Sequence, residues 1–243
     1  MAKTKTAVTK APKGAVVSYE EQIKREVAEM QERVNAPAGV SVRLTKAKTF
    51  AMPDKTTQPG PMRAVVVDFI GKNMFYDRPY KEGVIVTPAC WAAHKFIKQM
   101  APPNTVPAKQ GEACATCKQN EWGSAGDGSN RKGCKNGIQL ALMQADATED
   151  SPIFTLMVPP TSLGAWSAYV DTLAKAQGTI PRAVVTEIAF DPGSDYQKLT
   201  FKAAGPNKGI GVHMAKLGEA TAILGQLPDP SGYEAPARGK AKR

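Results

Sequence analysis

The stretch CATCKQNEWGSAGDGSNRKGC, residues 114–134, holds three of the four cysteines of the chain, together with a tryptophan and four glycines. It lacks the apolar periodicity of a helix or a strand, so it has little hydrophobic surface with which to fold by itself. Segments of this kind need a cross-link to become ordered. The cysteine cluster therefore favours folds that carry a cross-linked insertion.

The spacing of the cysteines indicates what the cross-link is. Cys114 and Cys117 form a CxxC pair, Cys134 follows Cys117 by 17 positions, and Cys90 precedes Cys114 by 24. Four thiolates can complete a tetrahedral zinc site, and such a site would supply folding free energy to the insertion. His94 is an alternative fourth ligand in place of Cys90 if residues 90–94 are helical. We predict a structural zinc here.

Other interpretations of the cysteines stay open, namely ordinary reduced thiols, an iron–sulfur cluster and a thioredoxin-like redox pair. A catalytic zinc is disfavoured, because the His-x-Glu that precedes Pro-Cys-x-x-Cys in zinc deaminases is missing. The chain also has no Walker A sequence, no HExxH and no nucleophile elbow. We therefore expect a protein that is not an enzyme.

The net charge of +10 is concentrated at the two ends of the chain. Residues 1–13 carry four lysines and no acid, and residues 235–243 carry four lysines or arginines and no acid. Basic arms favour a polyanionic partner such as nucleic acid. No apolar run approaches the roughly 18 residues of a membrane span, and the first residues lack the apolar segment of a secretory signal. We expect no membrane partner and a cytoplasmic protein, in the host cytoplasm if the chain is virus-encoded.

Extended segments dominate residues 40–205. Alternating or β-branched runs bounded by Gly and Pro predict strands. These runs are VSVRLTKAKTF, MRAVVVDFI, GVIVTPAC, GIQLALMQ, IFTLMVP, RAVVTEIAF and QKLTFKAAG. One helix is predicted among them, beginning at Thr161 or Ser162 and ending at Gly178.

The remaining segments divide the chain further. We expect a flexible basic arm over residues 1–17 and an amphipathic helix over 18–36, with Ile23, Val27, Met30 and Val34 at helical spacing. The core is predicted over 40–205, with the zinc-binding insertion at about 90–135. Residues 206–243 are Gly- and Pro-rich and basic, so an irregular C-terminal tail is expected there.

The order of these elements is compatible with a five-stranded OB-fold-like barrel that carries a Cys-rich insertion. The block CATCKQNEWGS…KGCKN, with Cys90 upstream, and the segment from IFTLMVPPTSLGAWSAYV to LTFKAAG resemble the single-stranded DNA-binding proteins of tailed phages. The resemblance covers about residues 40–205 and is one of architecture and motif order more than of identity. It implies a mainly β fold with helices, and zinc on Cys114, Cys117 and Cys134 with Cys90 or His94. Members of that family commonly end in an acidic tail that recruits replication partners, whereas this chain ends in RGKAKR.

Binding of single strands without sequence preference needs cations for phosphates and aromatic faces for bases. This mixture occurs in two places, the loop after the second predicted strand and the cysteine region. The aromatic residues within strand patterns and on the predicted helix are assigned to the core instead. The predicted contacts are Lys72, Phe75, Tyr76, Arg78, Tyr80, Lys81, Trp91, Trp122, Arg131, Lys132 and Lys135.

These patterns together predict a sequence-tolerant single-stranded DNA-binding protein of phage replication or recombination. It would be non-catalytic and hold a structural zinc. Single-stranded DNA is the expected partner, and contacts with replication or recombination proteins and self-association along DNA are left open. The alternative is a zinc-stabilised transcription-regulatory or virion-associated protein that contacts duplex DNA or RNA through its basic arms.

Overall fold

The computed structural model describes residues 41–78 and 86–227, together with Ile23. The predicted arm over residues 1–17 lies outside the described residues, as does the predicted helix over 18–36 apart from Ile23, which is helical and exposed. The strands are β1 (Ser41–Leu44), β2 (Thr49–Ala51), β3 (Thr57–Pro59), β4 (Met62–Phe75), β5 (Cys90–His94), β6 (Cys134–Met143), β7 (Phe154–Val158), β8 (Val184–Phe190) and β9 (Leu199–Pro206). The α-helices are α1 (Leu163–Gln177), α2 (Ile210–Ala215) and α3 (Leu217–Gly225).

The strands form one mixed sheet in the order β3-β2-β1-β7-β6-β4-β8-β9, and β5 pairs with β4 beside this path. Strands β1 and β7 run parallel, and the other pairs are antiparallel. The sheet curls into a half-barrel. The prediction of a mainly β fold with helices is confirmed at this level.

Strand β4 is the centre of the sheet. It is 14 residues long, and its run of Val65, Val66 and Val67 is buried because the sheet is covered on both faces there. Its first residues pair with β8, its last residues pair with β5, and nearly its whole length pairs with β6. The register with β6 shifts between Val66 and Asp68, and a shift of this kind bends a strand.

The β1–β2 turn and the β8–β9 turn, which lie near opposite ends of the strand order, contact each other. The Lys48 ammonium donates a hydrogen bond to the Ser194 carbonyl, and the Gln197 amide donates to the Thr45 carbonyl at 3.2 Å. The rings of Phe50 and Phe190 lie 4.7 Å apart between their centroids. These contacts join the β1–β2 turn to the β8–β9 turn, and so they hold the sheet in its curled form.

Helix α1 covers one face of the sheet. Trp166, Tyr169 and Leu173 recur at intervals of three and four residues and are all buried. Trp166 packs edge-on against Phe69 and Phe201, with ring centroids at 5.2 and 5.1 Å. The helix ends at Gly178, which adopts a left-handed φ of 57° as predicted.

The start of α1 differs from the prediction in one respect. Ser162 lies at the N-cap position, but its hydroxyl makes no capping bond to the helix. Instead the hydroxyl oxygen accepts a hydrogen bond from the Leu199 amide at 2.7 Å. Ser162 therefore ties the start of α1 to the start of β9 rather than capping the helix.

Helices α2 and α3 cover the opposite face, so the prediction of an irregular segment from residue 206 is wrong for residues 210–225. Ala220 and Leu224 are buried against β4 and β6. His213 is fully buried and lies within hydrogen-bonding distance of the Gly209 and Gln144 carbonyls, at 2.8 and 3.0 Å. Burial of one apolar face orders these helices in spite of their glycines. The rest of the predicted tail, residues 228–243, lies outside the described residues.

Two strand predictions also differ from the structure. The run VSVRLTKAKTF folds as β1 and β2 around a turn in which Lys48 has a positive φ of 56°. The run GVIVTPAC is described only from Val86 onward, where no strand forms before Cys90. Strand β5 begins at Cys90 and extends into the predicted insertion, because its residues pair with the end of β4.

Packing of α1 gives a stability prediction. Leu173→Ala removes a side chain that is 1% exposed, and we expect a loss of about 2–5 kcal/mol in the free energy of unfolding, because a cavity forms beneath the helix. Urea unfolding followed by circular dichroism measures this change. Gln177→Ala, at an exposed position of the same helix, is the matched control and should change stability by less than about 0.5 kcal/mol. Equal effects of the two substitutions would contradict the packing described.

Candidate metal centre and nucleic-acid interface

The four cysteines come together from three parts of the chain. Cys90 begins β5 and Cys134 begins β6, and both are paired in register with Phe75 at the end of β4. Residues in register on neighbouring strands point to the same face of a sheet. Cys114 lies in a 3-10 turn that Cys117 follows. The strand register and this turn place all four side chains around one cavity.

The turn that holds Cys114 and Cys117 is fixed by hydrogen bonds to backbone carbonyls. The Cys114 amide donates to the Met100 carbonyl at 2.9 Å, and the Asn120 side chain donates to the Cys114 carbonyl at 2.7 Å. The Cys117 thiol donates to the Gln110 carbonyl, with a sulfur–oxygen distance of 3.6 Å. The CxxC pair is therefore ordered by contacts among residues 100–120.

The cavity between the cysteines is small, with a volume of about 10 Å³. That is about the volume one water molecule needs. Burial raises the pKa of the Cys90 and Cys114 thiols, and burial together with the neighbouring cysteines raises the pKa of Cys134 to about 12. These three are therefore neutral thiols at pH 7 unless a cation is present, since a coordinating thiol is deprotonated outright.

The four cysteines match a zinc site in the type of donor but not in its arrangement. Over residues 41–78 and 86–227, no three His, Cys, Asp or Glu side chains are arranged to hold a metal ion as they stand. The donor set nevertheless suits zinc, because four sulfurs share one cavity of single-ion size. The four cysteines therefore supply the type of donor that zinc prefers around one cavity, but they are not arranged as a metal-binding group.

His94 is not part of this cavity. The alternative ligand set required residues 90–94 to be helical, but they form β5. Four residues of strand separate Cys90 from His94 by about 13 Å. The His94 Nδ1 instead lies 3.0 Å from the Phe96 amide nitrogen. Cys90 is therefore the candidate fourth ligand.

A groove runs beside the cysteine cavity, between the sheet, α1 and the segment around Ile97–Gln99. Its volume is about 490 Å³, and partly buried apolar side chains such as Phe69, Ile138 and Val170 line it. Lys98 and Lys132 also line it, and Asp171 is the acidic residue among its lining residues. The groove therefore offers apolar surface together with cationic groups.

Gly71 allows the segment around Ile97 to approach the sheet. A Cβ atom at this position would lie 2.8 Å from the Met100 Cε and 3.1 Å from the Ile97 Cγ1. This segment forms one wall of the groove, so the absence of a side chain on β4 sets the position of that wall.

Several predicted nucleic-acid contacts lie near the cysteine insertion at the surface. The Lys135 ammonium lies 5.1 Å from the centroid of the Tyr76 ring, and the Lys132 ammonium lies 5.3 Å from that of Trp122. Trp122 is 71% exposed. Arg131 is exposed and forms an ion pair with Asp127. Phe75 and Arg78 are partly buried, and Tyr80 and Lys81 lie outside the described residues.

The structure contradicts two of the predicted contacts. Lys72 is 7% exposed, and its ammonium donates to the Gln139 side chain and to the Gln226 carbonyl, both at 2.9 Å. Trp91 is 1% exposed in a small apolar cluster with Cys90 and Val106. Both residues lie in paired strands and face inward, so neither is accessible to a nucleic acid.

The sequence analysis missed an exposed apolar pair at and beside the groove wall. Phe96 and Ile97 are 64% and 60% exposed and stand between Lys95 and Lys98. The local signal was the sequence HKFIKQ, in which an apolar pair is flanked by cations without the period of a helix or strand. An exposed aromatic side chain between lysines is the combination that stacks on bases and binds phosphates.

Comparison of the chain with known protein families, with characterised proteins and with solved structures found no match. Among the helices of the described residues, none has the length and apolar character needed to cross a membrane.

The position of Lys72 gives a pH-dependent prediction. Burial lowers its pKa, so the folded state binds this proton less tightly than the unfolded state does. The contribution of Lys72 to the free energy of unfolding should therefore rise with pH up to the ordinary lysine pKa of about 10.4. Between pH 7 and pH 10, urea unfolding should show a less positive change in the free energy of unfolding for Lys72→Met than for the wild type. The variant should bind oligo-dT with an affinity within about twofold of that of the wild type. An equal change in the free energy of unfolding in both proteins, or much weaker oligo-dT binding by the variant, would contradict the buried role.

Proposed function

We propose that this protein binds single-stranded DNA without sequence preference in the groove beside the cysteine cavity, and that it is not an enzyme. The observation that supports this most directly is the groove itself, which combines apolar side chains with Lys98 and Lys132. Unpaired bases present flat apolar faces and a backbone of phosphates, and this combination matches both.

A single strand fits the groove better than a duplex does. In a duplex the bases are stacked inside, so phosphates rather than base faces meet the protein. Contact with an apolar groove would then contribute little to the binding free energy. The exposed Phe96, next to the groove residue Ile97, would stack on a base beside the groove, and Trp122 would do so on the insertion. Assignment to DNA and to phage replication or recombination follows the sequence resemblance, as does assignment of the half-barrel to the OB-fold.

We include a structural zinc on Cys90, Cys114, Cys117 and Cys134 in this proposal. When bound, the ion would cross-link the insertion to the starts of β5 and β6. Cys114 also lines the groove, so the ion would order one of the groove walls. Thiolate ligands and a closed coordination shell are typical of a structural rather than a catalytic zinc.

Substitutions in and beside the groove test the binding proposal. Phe96→Ala should weaken oligo-dT binding about 5- to 150-fold, because stacking contributes roughly 1–3 kcal/mol per base. Lys98→Ala and Lys132→Ala should each reduce the slope of log affinity against log salt by about 0.7, because each removes one phosphate contact with a single strand. Fluorescence anisotropy of a labelled oligo-dT over a series of salt concentrations measures both effects.

Matched controls for these variants lie away from the groove. Tyr196 is an aromatic residue 52% exposed on the β8–β9 turn, and Lys202 is an exposed lysine of β9. Tyr196→Ala and Lys202→Ala should leave affinity and salt slope unchanged. If the control variants weaken binding as much as the groove variants, the strand binds elsewhere and the proposed interface is wrong.

Metal analysis tests the zinc proposal. Protein purified without chelator should contain about one zinc per chain by atomic emission, and Cys90→Ser or Cys134→Ser should lower that content and the stability of the fold. His94→Asn should keep the full zinc content, because His94 lies away from the cavity. A wild-type protein without zinc, or loss of zinc only in the His94 variant, would refute this ligand set.

A further inference from the structure

Asn136 places free hydrogen-bonding atoms on the floor of the groove, where β4 and β6 pair. Asn136 of β6 is in register with Asn73 of β4, so both side chains point to the same face of the sheet, and both line the groove. The Asn136 side-chain amide donates a hydrogen bond to the Asn73 Oδ1 at 2.8 Å. That bond uses one of the two amide hydrogens of Asn136, and none of the described residues donates to its Oδ1.

The other asparagines that line the groove are already engaged. Asn73 is 5% exposed, its Oδ1 accepts from Asn136, and its side chain also hydrogen-bonds the Cys114 side chain. The Asn120 amide donates to the Cys114 carbonyl at 2.7 Å, and its Oδ1 accepts from the Lys132 ammonium at 3.2 Å. Asn136 is partly exposed, and its bond to the buried Asn73 fixes its carboxamide. It therefore presents an acceptor and a donor to the groove in a fixed orientation.

Apolar side chains stand on both sides of this floor. Ile97 forms part of one wall, and Leu163 and Val170 of α1 form part of the other. A planar base that enters edge-first would place its faces against these walls and one edge toward Asn136. The walls can contact any base, because every base has a π-face. The hydrogen-bonding atoms of the floor then determine which edge of the base can enter.

The Watson–Crick edge of each of the four bases has a hydrogen-bond donor beside an acceptor. Thymine offers N3–H beside O4, guanine N1–H beside O6, adenine N6–H beside N1, and cytosine N4–H beside N3. A carboxamide, which has a carbonyl oxygen beside an N–H group, is complementary to all four pairs. In a duplex the opposite base occupies these atoms, so a carboxamide cannot reach them.

We infer that Asn136 binds the Watson–Crick edge of an unpaired base in the groove, and that this contact makes the groove selective for single strands without selecting a sequence. This inference rests on the proposed binding of single-stranded DNA. The Asn136 Oδ1 accepts a hydrogen bond from the donor of the base, and the free amide hydrogen donates to the neighbouring acceptor. Asn73 is a positioning residue, because it holds the Asn136 carboxamide in the orientation that this contact needs.

Modified oligonucleotides test the inference on the wild-type protein. An oligonucleotide with N3-methylthymine in place of every thymine keeps the ring faces and the phosphates but has no N3–H. It should bind about 5- to 150-fold more weakly than oligo-dT by fluorescence anisotropy, because a good bidentate contact to a base discriminates by that factor. Oligo-dU, which lacks only the C5-methyl group, is the matched control and should bind within about twofold of oligo-dT, because it keeps the ring face and the Watson–Crick edge.

Asn136→Ala separates the hydrogen bond from the bulk of the added methyl group. The variant should bind oligo-dT more weakly than the wild type does. Its affinities for oligo-dT and for the N3-methylated oligonucleotide should agree within about twofold, because the two changes remove the same contact and are therefore not additive. Asn130→Ala is the matched control, because it removes an exposed asparagine of the cysteine insertion that does not line the groove. It should keep the full difference between the two oligonucleotides.

Two results would overturn the inference while the proposed single-strand binding stands. One is equal affinity of the wild-type protein for oligo-dT and for the N3-methylated oligonucleotide. The other is a folded Asn136→Ala variant that discriminates between the two as strongly as the wild type does. If the variant does not fold, the wild-type comparison with its oligo-dU control decides by itself. If the wild-type protein does not bind oligo-dT, the inference and the proposed function both fail.

Discussion

The pairing of β4 with its neighbours is the constraint on which the rest of the structure depends. This single strand joins β8 at its start and β5 at its end, and β6 along nearly its whole length. Its last residue, Phe75, sets the register of both Cys90 and Cys134. A shift of one residue in either pairing would turn a cysteine to the opposite face. The same pairing that builds the core therefore also assembles the candidate metal centre.

The groove and the cysteine cavity lie side by side because they share lining residues. Asn73 and Cys114 line both, so the loop that holds Cys114 and Cys117 forms part of the groove wall and supplies two of the four thiols. A cation on the thiols would stabilise the insertion, and an ordered insertion presents Lys132 to the groove. The metal and the nucleic acid would then be coupled through one segment of chain, without any contact between them.

The sequence predicted the elements that a short stretch of residues determines, and it did not predict the features that depend on tertiary packing. The end of α1 at Gly178 followed from a glycine stop, and β6 to β9 followed from alternating or β-branched runs. The inward direction of Lys72 and Trp91 did not, because their burial depends on how far β4 and β5 extend. Helices α2 and α3 were hidden by glycines at positions 209, 211, 218 and 225. Those helices form because the sheet buries one of their faces, which is a tertiary effect.

The measurement that tests the central claim most directly is a titration of the wild-type protein with oligo-dT and with a matched duplex at the same salt concentration, followed by tryptophan fluorescence. The account predicts tighter binding of the single strand, with quenching of the exposed Trp122 as bases stack near it. Equal or tighter binding of the duplex without quenching would contradict the account. That result would favour a protein that contacts duplex nucleic acid through its basic arms.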